Sequence, residues 1–204
     1  MGLESYRRSV SETKRAAILK AGRENFLKNG FSHAAVADIA READVSTATL
    51  YKHFASKEEL FAAVVAQAYD AIGGEFSEVL DSDDVAEMLV GMAHNYLATQ
   101  FDKQANALLR VVIAEVPAAP QIARDTYETV VRKRSASVKK IFDGLIERKL
   151  MKPHDTELGV YFIAGMVKEV FIWPAMFDPE FKLPENTDAI IREAVSVYLA
   201  RYGV

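Results

Sequence analysis

The sequence predicts an all-α protein, with a small N-terminal three-helix unit followed by a larger C-terminal helical bundle. Apolar residues recur at helical spacing along most of the chain, and no stretch alternates strictly between apolar and polar residues. Half of the 204 residues are hydrophobic, which suffices for a core without metal or disulfide support. Cysteine is absent, which excludes disulfides and thiolate sites and is typical of a cytoplasmic protein.

Four helices are predicted in the N-terminal third. The first covers about 11–29, and Gly30 supplies the left-handed residue that ends it. Two short helices follow, near 34–40 and 46–53. The fourth begins at Ser56–Glu59, a capping box in which the serine and the last glutamate each satisfy a free backbone N–H.

The remaining helices follow Gly73-Gly74, which is expected to kink or end the fourth helix. A fifth helix is capped by the acidic cluster at 81–84 and ends near Phe101, and the later ones are punctuated by prolines. Their predicted ranges are 104–116, 120–151 with a possible break, 155–177 and 185–202. The apolar run 158–177 is long enough to span a membrane, but its central charged pair favours burial in a core or subunit interface.

The chain shows no linker, so the boundary between two domains is expected inside the fourth helix. The two predicted domains are 1–62 and 63–204. The first part holds ten basic and eight acidic residues, and the second holds fifteen and twenty-one. The N-terminal part is therefore the less acidic one and the better candidate to face a polyanion.

The segment from Gly30 to Leu60 predicts a helix-turn-helix. Two helices of two turns each are unstable alone, so they must pack on the first and fourth helices, with Ile39, Val45, Leu50 and Phe54 in the centre. The second short helix then protrudes and is narrow enough for a DNA major groove about 12 Å wide. The candidates for base contact are its exposed residues Thr47, Ala48, Tyr51 and Lys52. The alternative is a three-helix bundle that binds protein.

These residues resemble the DNA-binding signature of the TetR family of transcriptional regulators. The resemblance covers most of 11–62 and includes Gly30-Phe31, Asp38-Ile39-Ala40, Thr49-Leu50-Tyr51 and Ser56–Leu60. It implies base contacts by the four residues named above and phosphate contacts by Ser46, Thr49, His53 and Lys57.

Two positions depart from the family pattern. Ala34-Ala35 stands where the family has hydroxyl residues, so Ser32 or His33 is expected to cap the following helix instead. Asp44 stands where the family has glycine, and an aspartate tolerates the left-handed backbone of the turn at modest cost.

The C-terminal part offers candidates for a ligand pocket and for self-association. Large apolar and aromatic residues at helical spacing are candidate pocket residues: Met88, Met92, Tyr96, Ile113, Tyr127, Phe142, Phe162, Met166 and Trp173. Apolar stripes on the last two helices predict a four-helix dimer interface through Val160, Ile163, Val167, Phe171, Ile191, Val195 and Tyr198. The alternative for both sets is ordinary core packing.

Catalytic signals are missing. The four histidines lie far apart in the sequence, and there is no phosphate loop, nucleophile elbow or paired-carboxylate motif, so no enzyme activity, cofactor or metal is expected. We expect a cytoplasmic homodimer that represses transcription from a palindromic DNA operator and is released by a small hydrophobic or amphipathic ligand, without a membrane partner. The rival interpretations are a helical ligand-binding enzyme and a protein–protein adaptor that keeps the helix-turn-helix as a scaffold.

Overall fold

The computed structural model describes residues 3–70, 84–102 and 105–204, and every regular element in those ranges is helical. The predicted all-α fold is therefore confirmed. Within these ranges, β-type backbone pairing is limited to one isolated antiparallel bridge between Met151 and Gly203. The expected break at Gly73-Gly74 lies outside the described residues.

The N-terminal helices are α1 (Leu3–His33), α2 (Val36–Glu42), α3 (Thr47–His53) and α4 (Lys57–Asp70). Helix α1 begins eight residues earlier than predicted. The described side chains in this added segment, at positions 5, 9 and 10, are exposed, so they form no core-facing apolar pattern that would predict a helix.

The C-terminal helices follow the predicted order closely. They are α5 (Val85–Asp102), α6 (Ala105–Ala114), α7 (Pro120–Thr126), α8 (Lys133–Glu147), α9 (Thr156–Val167), α10 (Trp173–Phe177) and α11 (Thr187–Tyr202). Two π-helical turns, Tyr127–Arg132 and Lys168–Ile172, connect α7 to α8 and α9 to α10. The second turn precedes Pro174, which lacks the N–H that regular helix would require and so favours a local change of winding.

Gly30 interrupts α1 with a left-handed backbone, φ 73° and ψ 172°, and one further turn follows it. The expectation that this glycine ends the regular helix is confirmed. Only glycine takes this conformation without steric cost, so the position of the next helices depends on this residue.

The chain packs as two compact units. The first contains 1–67 and 107–126, and the second contains 68–106 and 127–204. The division in α4 falls near the predicted one, but 107–126 lies with the N-terminal helices. The domain boundary at residue 62 stays a prediction.

The first unit has an aromatic core. Phe26, Phe31 and Phe61 come from α1 and α4, and their ring centroids lie 4.9 to 6.0 Å apart. Ile39, Leu50 and Phe54 are fully buried, as predicted for the centre of the helix-turn-helix, and Val45 is half-buried. Burial of these side chains supplies the tertiary support that α2 and α3 need.

The second unit is a helical bundle whose core draws on α5, α8, α9 and α11. Its fully buried side chains include Leu97, Phe142, Leu145, Phe171 and Ile191. The segment Thr156–Phe177 is the one stretch in the described ranges that is long and apolar enough to cross a membrane. Its inner face, with Val160, Val167 and Phe171, is part of this core, as predicted, but most of the segment is not buried in the protomer.

Candidate nucleic-acid interface

Ser46 fixes the start of α3. Its backbone is extended, and its hydroxyl oxygen accepts a hydrogen bond from the Thr49 backbone N–H at 3.1 Å. The two hydroxyl groups of Ser46 and Thr49 also lie 2.9 Å apart. Serine is a favoured N-cap because it satisfies one of the free N–H groups at the helix start. The cap therefore orients α3 from a residue that is itself exposed.

The turn between α2 and α3 uses Asp44 in the left-handed region, with φ 53°. The Val45 N–H donates to the Ala40 carbonyl at 3.0 Å and closes the turn. The prediction that aspartate replaces the family's glycine here in a left-handed conformation is confirmed. A tight turn between two short helices is the connection that a helix-turn-helix requires.

One face of α3 is exposed and the other is buried. Thr47, Ala48, Tyr51 and Lys52 are all exposed, and the Tyr51 side chain is 47% accessible. Leu50 and Phe54 turn inward, and the Arg15 guanidinium covers the outer side of the Phe54 ring at 4.9 Å. The exposed face combines hydroxyl, phenol and ammonium groups, which donate hydrogen bonds to base edges and phosphates.

Lys57 binds the end of α1 and the gap that follows it. Its ammonium donates to the carbonyl oxygens of Phe31, Ser32 and Ala34 at 2.9, 3.3 and 3.2 Å, and it lies 4.5 Å from the Phe31 ring centroid. These carbonyls flank the short gap between α1 and α2, where helical partners are missing. Lys57 was predicted to contact a DNA phosphate, but its three N–H groups thus already donate to carbonyl oxygens of the protein.

Glu115 lies beside the same junction, at the end of α6. Its carboxylate accepts hydrogen bonds from the Ser32 backbone N–H at 3.1 Å and from the Ser32 hydroxyl at 2.6 Å. Burial raises the pKa of the Glu115 carboxyl, but these bonds and the positive charge of Lys57 outweigh it, so the pKa lies below its ordinary value. The expectation that Ser32 caps α2 is wrong, since α2 has no side-chain cap and Ser32 binds Glu115.

Sequence reasoning did not identify Glu115 as a partner of the helix-turn-helix. It is only 7% exposed, and Ser32 is 83 residues away in the sequence. The one signal was a carboxylate in an otherwise apolar segment before Pro117, because a buried acid requires hydrogen-bond partners.

The capping box at the start of α4 forms with a small change. Ser56 accepts from the Glu59 N–H at 3.1 Å, as predicted. The Glu59 carboxylate accepts from the N–H of Ala55 at 2.6 Å instead of that of Ser56. The loop before α4 is therefore tied to its first turn. His53, the last residue of α3, is half-buried beside it.

The predicted pocket residues divide into two groups. Met88, Met92, Tyr96, Phe142 and Met166 belong to or pack against the core of the second unit. Tyr127, Phe162 and Trp173 are about half exposed, and so is Ile113, which lies in the first unit. The structure therefore brings the first group together and leaves the second at the surface of the protomer.

The predicted dimer residues lie inside the protomer. Val160, Val167, Phe171, Ile191, Val195 and Tyr198 are buried, and Ile163 packs against the same core. This placement corresponds to the alternative in which the two stripes close the core. The same helices carry a second, exposed apolar set: Leu158, Tyr161, Phe162, Val170, Trp173, Phe177 and Val197.

Two family models match the chain. The model of bacterial regulatory proteins of the tetR family matches residues 18–64. The model of the C-terminal domain of AefR-like transcriptional repressors matches residues 87–204, more than half of the chain. The chain belongs to the TetR family. The resemblance that the sequence analysis noted is therefore confirmed at the level of the family.

Known TetR-family proteins are similar over different lengths. The transcriptional regulator UidR of Escherichia coli K12 is 32% identical over 117 residues, and the match covers 55% of this chain and 57% of UidR. The chain thus spans just over half the length of the curated relatives it matches. A solved TetR-family regulator from Mesorhizobium loti has a TM-score of 0.85 at 28% identity, covering 95% of this chain and 98% of that one.

A further solved structure, the flavonoid-responsive regulator FrrA, has a TM-score of 0.73 at 23% identity, covering 93% and 97% of the two chains. This likeness concerns the fold. It agrees with the arrangement predicted for this TetR-family member, an N-terminal helix-turn-helix and a C-terminal helical domain.

Proposed function

We propose that this protein is a dimeric repressor that binds a near-palindromic operator through α3 and leaves it when a small hydrophobic or amphipathic ligand occupies the second unit. The observation that carries the proposal is the two-sided character of α3, with Leu50 buried and the Tyr51 and Lys52 side chains exposed. A helix held from behind by apolar contacts presents its polar face rigidly, and rigid presentation is what base recognition requires.

Each candidate residue in and around α3 has an assigned role in this proposal. Thr47, Ala48, Tyr51 and Lys52 face the base edges of the major groove, and Ser46, Thr49 and His53 contact the phosphates on either side. Lys57 supports the phosphate face chiefly by holding the α1–α2 junction, because its three donors already bind carbonyls. The DNA partner implies a cytoplasmic location.

A homodimer would place two such helices about 34–36 Å apart, one turn of DNA or a multiple, so the operator would repeat with two-fold symmetry. The exposed apolar set on α9, α10, α11 and the turn between α9 and α10 supports self-association, because exposed apolar surface often marks an interaction site. Ligand binding would alter the spacing of the two α3 helices. To act as a switch, the ligand must prefer the state that cannot bind DNA.

A gel-shift titration with the DNA flanking the protein's own gene tests the proposal. Tyr51→Ala removes a ring that is exposed on α3, and we expect binding to weaken by about 1–3 kcal/mol. Lys140→Ala removes an exposed cation on α8 and serves as the control, with binding equal to wild type. Equal affinity of Tyr51→Ala and wild type for that DNA would contradict the assignment of α3.

A further inference from the structure

A polar cluster lies in the second unit around Arg134. The guanidinium carbon of Arg134, on the first turn of α8, is 4.4 Å from the centroid of the Tyr96 ring on α5. The Gln100 side chain, one turn further along α5, hydrogen-bonds the hydroxyl of Tyr69 at the end of α4. Three helices therefore bring a cation, two phenols and an amide into the interior of the unit.

Two atoms of this cluster are buried without a hydrogen-bond partner among the described residues. They are one terminal nitrogen of Arg134 and the side-chain oxygen of Gln100. The Gln100 side chain is only 2% exposed, so bulk water does not reach it. Buried polar groups are nearly always paired in folded proteins, and each exception calls for a physical reason.

The charges of the cluster are unbalanced. Burial lowers the pKa of Lys168, and the nearby positive charge of Arg134 lowers it further. Burial also lowers the pKa of Arg134, against smaller opposing effects from Tyr96 and Tyr69. In the ranges that the structure describes, no carboxylate forms an ion pair with either cation. A water molecule could pair with the free N–H, but it would not neutralise two like charges.

Both cations stand at irregular points of their helices. Arg134 follows the π-helical turn Tyr127–Arg132 by two residues, and Lys168 is the first residue of the turn Lys168–Ile172. A π-helical turn rotates the side chains that follow it, and such turns occur frequently at functional sites. Irregular winding occurs at two separate helices, each beside a cation without an ion-pair partner in the described ranges, and it is a second and independent feature of the same place.

We infer that this cluster is the recognition site for the carboxylate of an amphipathic organic acid, with Arg134 as its principal partner and Lys168 as the second cation. The Gln100 side-chain oxygen would accept a hydrogen bond from a donor on the same ligand. Tyr96 packs against the apolar core, so the body of the ligand would meet apolar and aromatic side chains beyond the carboxylate. The inference names the ligand class of the proposed switch, and its regulatory meaning rests on that proposed function.

Calorimetric titration of the full-length protein with 2-naphthoate and 2-naphthamide tests this inference, because the two probes share a ring system and differ in charge. We expect wild type to bind the acid at least about ten-fold more tightly than the amide, the range expected for a hydrogen bond to a charged group. Arg134→Met keeps the aliphatic bulk and should bring this ratio close to one. Arg134→Lys should keep a preference for the acid.

Lys133→Met is the matched control, since Lys133 is the exposed neighbour of Arg134 on the same helix turn. It should bind the two probes with the wild-type ratio. Equal binding of acid and amide by wild type would overturn the inference, and so would an Arg134→Met variant, shown to be folded by circular dichroism, that keeps the wild-type preference.

A gel-shift with wild-type protein separates this inference from the proposed function. Selective binding of the acid by a protein that shows no operator binding would overturn the proposed function and leave the carboxylate site standing. Operator binding by a protein that does not distinguish the two probes would overturn the carboxylate site alone.

Discussion

The ammonium group of Lys57 supplies hydrogen-bond donors to carbonyl oxygens at the end of α1, where the helix provides no further N–H groups. Three carbonyls from α1 and the following gap converge on it, and the Phe31 ring covers it from one side. A compact cation with three donors suits this geometry better than a planar guanidinium, which directs its donors as a fork.

The first prediction is that Lys57→Met, which keeps the stem and removes the charge, lowers the free energy of unfolding by about 1–3 kcal/mol, because three carbonyls lose a charged donor. Urea denaturation measures the change. Lys52→Met, at an exposed position on α3, is the control and should change stability by less than about 0.5 kcal/mol. An unchanged urea midpoint for Lys57→Met would show that the ammonium does not stabilise the junction.

The second prediction concerns pH. The pKa of Glu115 in the folded protein lies below its ordinary value of 4.5 because Ser32 and Lys57 favour the carboxylate. The carboxylate therefore contributes stability above that ordinary value, and the contribution is lost as the pH falls through the lower, folded pKa.

Glu115→Gln should accordingly be less stable than wild type at pH 7, and the difference should shrink as the pH falls below 4.5. Chemical denaturation of both proteins at a series of pH values gives the difference directly. A stability difference that stays constant down to the lowest pH at which both fold would mean that the charge of Glu115 does not contribute.

At the scale of the elements, the interruption of α1 at Gly30 decides where α2 begins. A methyl group at this position would have space, since its nearest neighbour outside the local chain is a Glu115 carboxylate oxygen at 3.8 Å. The constraint is therefore in the backbone, because φ is 73°.

The third prediction follows from this distinction. Gly30→Ala should destabilise the protein by about 1–3 kcal/mol, because a side chain is strained at φ 73° and ψ 172°. Gly91→Ala, on the regular helix α5 where nothing lies within 4 Å of an added methyl group, should stabilise it by up to about 1 kcal/mol. Thermal denaturation compares the two variants. Equal effects of the same sign would show that the backbone at Gly30 is not under this constraint.

At the scale of the whole molecule, the C-terminal helices have two apolar faces with different roles. The inner face of α9 completes the core, whereas Tyr161 and Phe162 on its outer side and Trp173 on α10 remain exposed. The rings of Trp173 and Phe177 stack with centroids 6.2 Å apart at the end of this outer surface.

The fourth prediction is that Phe162→Glu dissociates the proposed dimer, because the variant would place a charge without a partner in the proposed apolar interface. Sedimentation velocity measures the mass of both proteins. Val116→Glu, at an exposed apolar position in the first unit, should leave the dimer intact. A Phe162→Glu protein that sediments as wild type would exclude this surface as the site of self-association.

Residues close in sequence carried the successful predictions. The cap at Ser56, the left-handed Asp44, the end of regular helix at Gly30 and most helix bounds all depend on preferences that act over a few residues. The same local pattern predicted that Leu50 lies on the buried face of α3 and Tyr51 on its exposed face, because helical periodicity separates the two faces. The resemblance to the TetR family was drawn from that segment as well.

The predictions for the C-terminal part were weaker for a related reason. Periodicity identifies a helix with apolar residues, but it does not tell which of two apolar faces meets the core when both carry large side chains. Val160 and Phe162 lie two residues apart on α9, and only the bundle shows that the first is buried and the second exposed.

The sequence by itself determined the all-helical class, the helix-turn-helix and its outward-facing residues, because these follow from propensities and spacings within single helices. Only the tertiary structure decided that Lys57 binds the end of α1, that Glu115 holds Ser32 and that Arg134 lies against Tyr96 without an acidic partner among the described residues. The partners in these contacts are between 25 and 83 residues apart. Their pairing depends on how the helices pack and on the cost of burying an unpaired charge, and neither is encoded in local spacing.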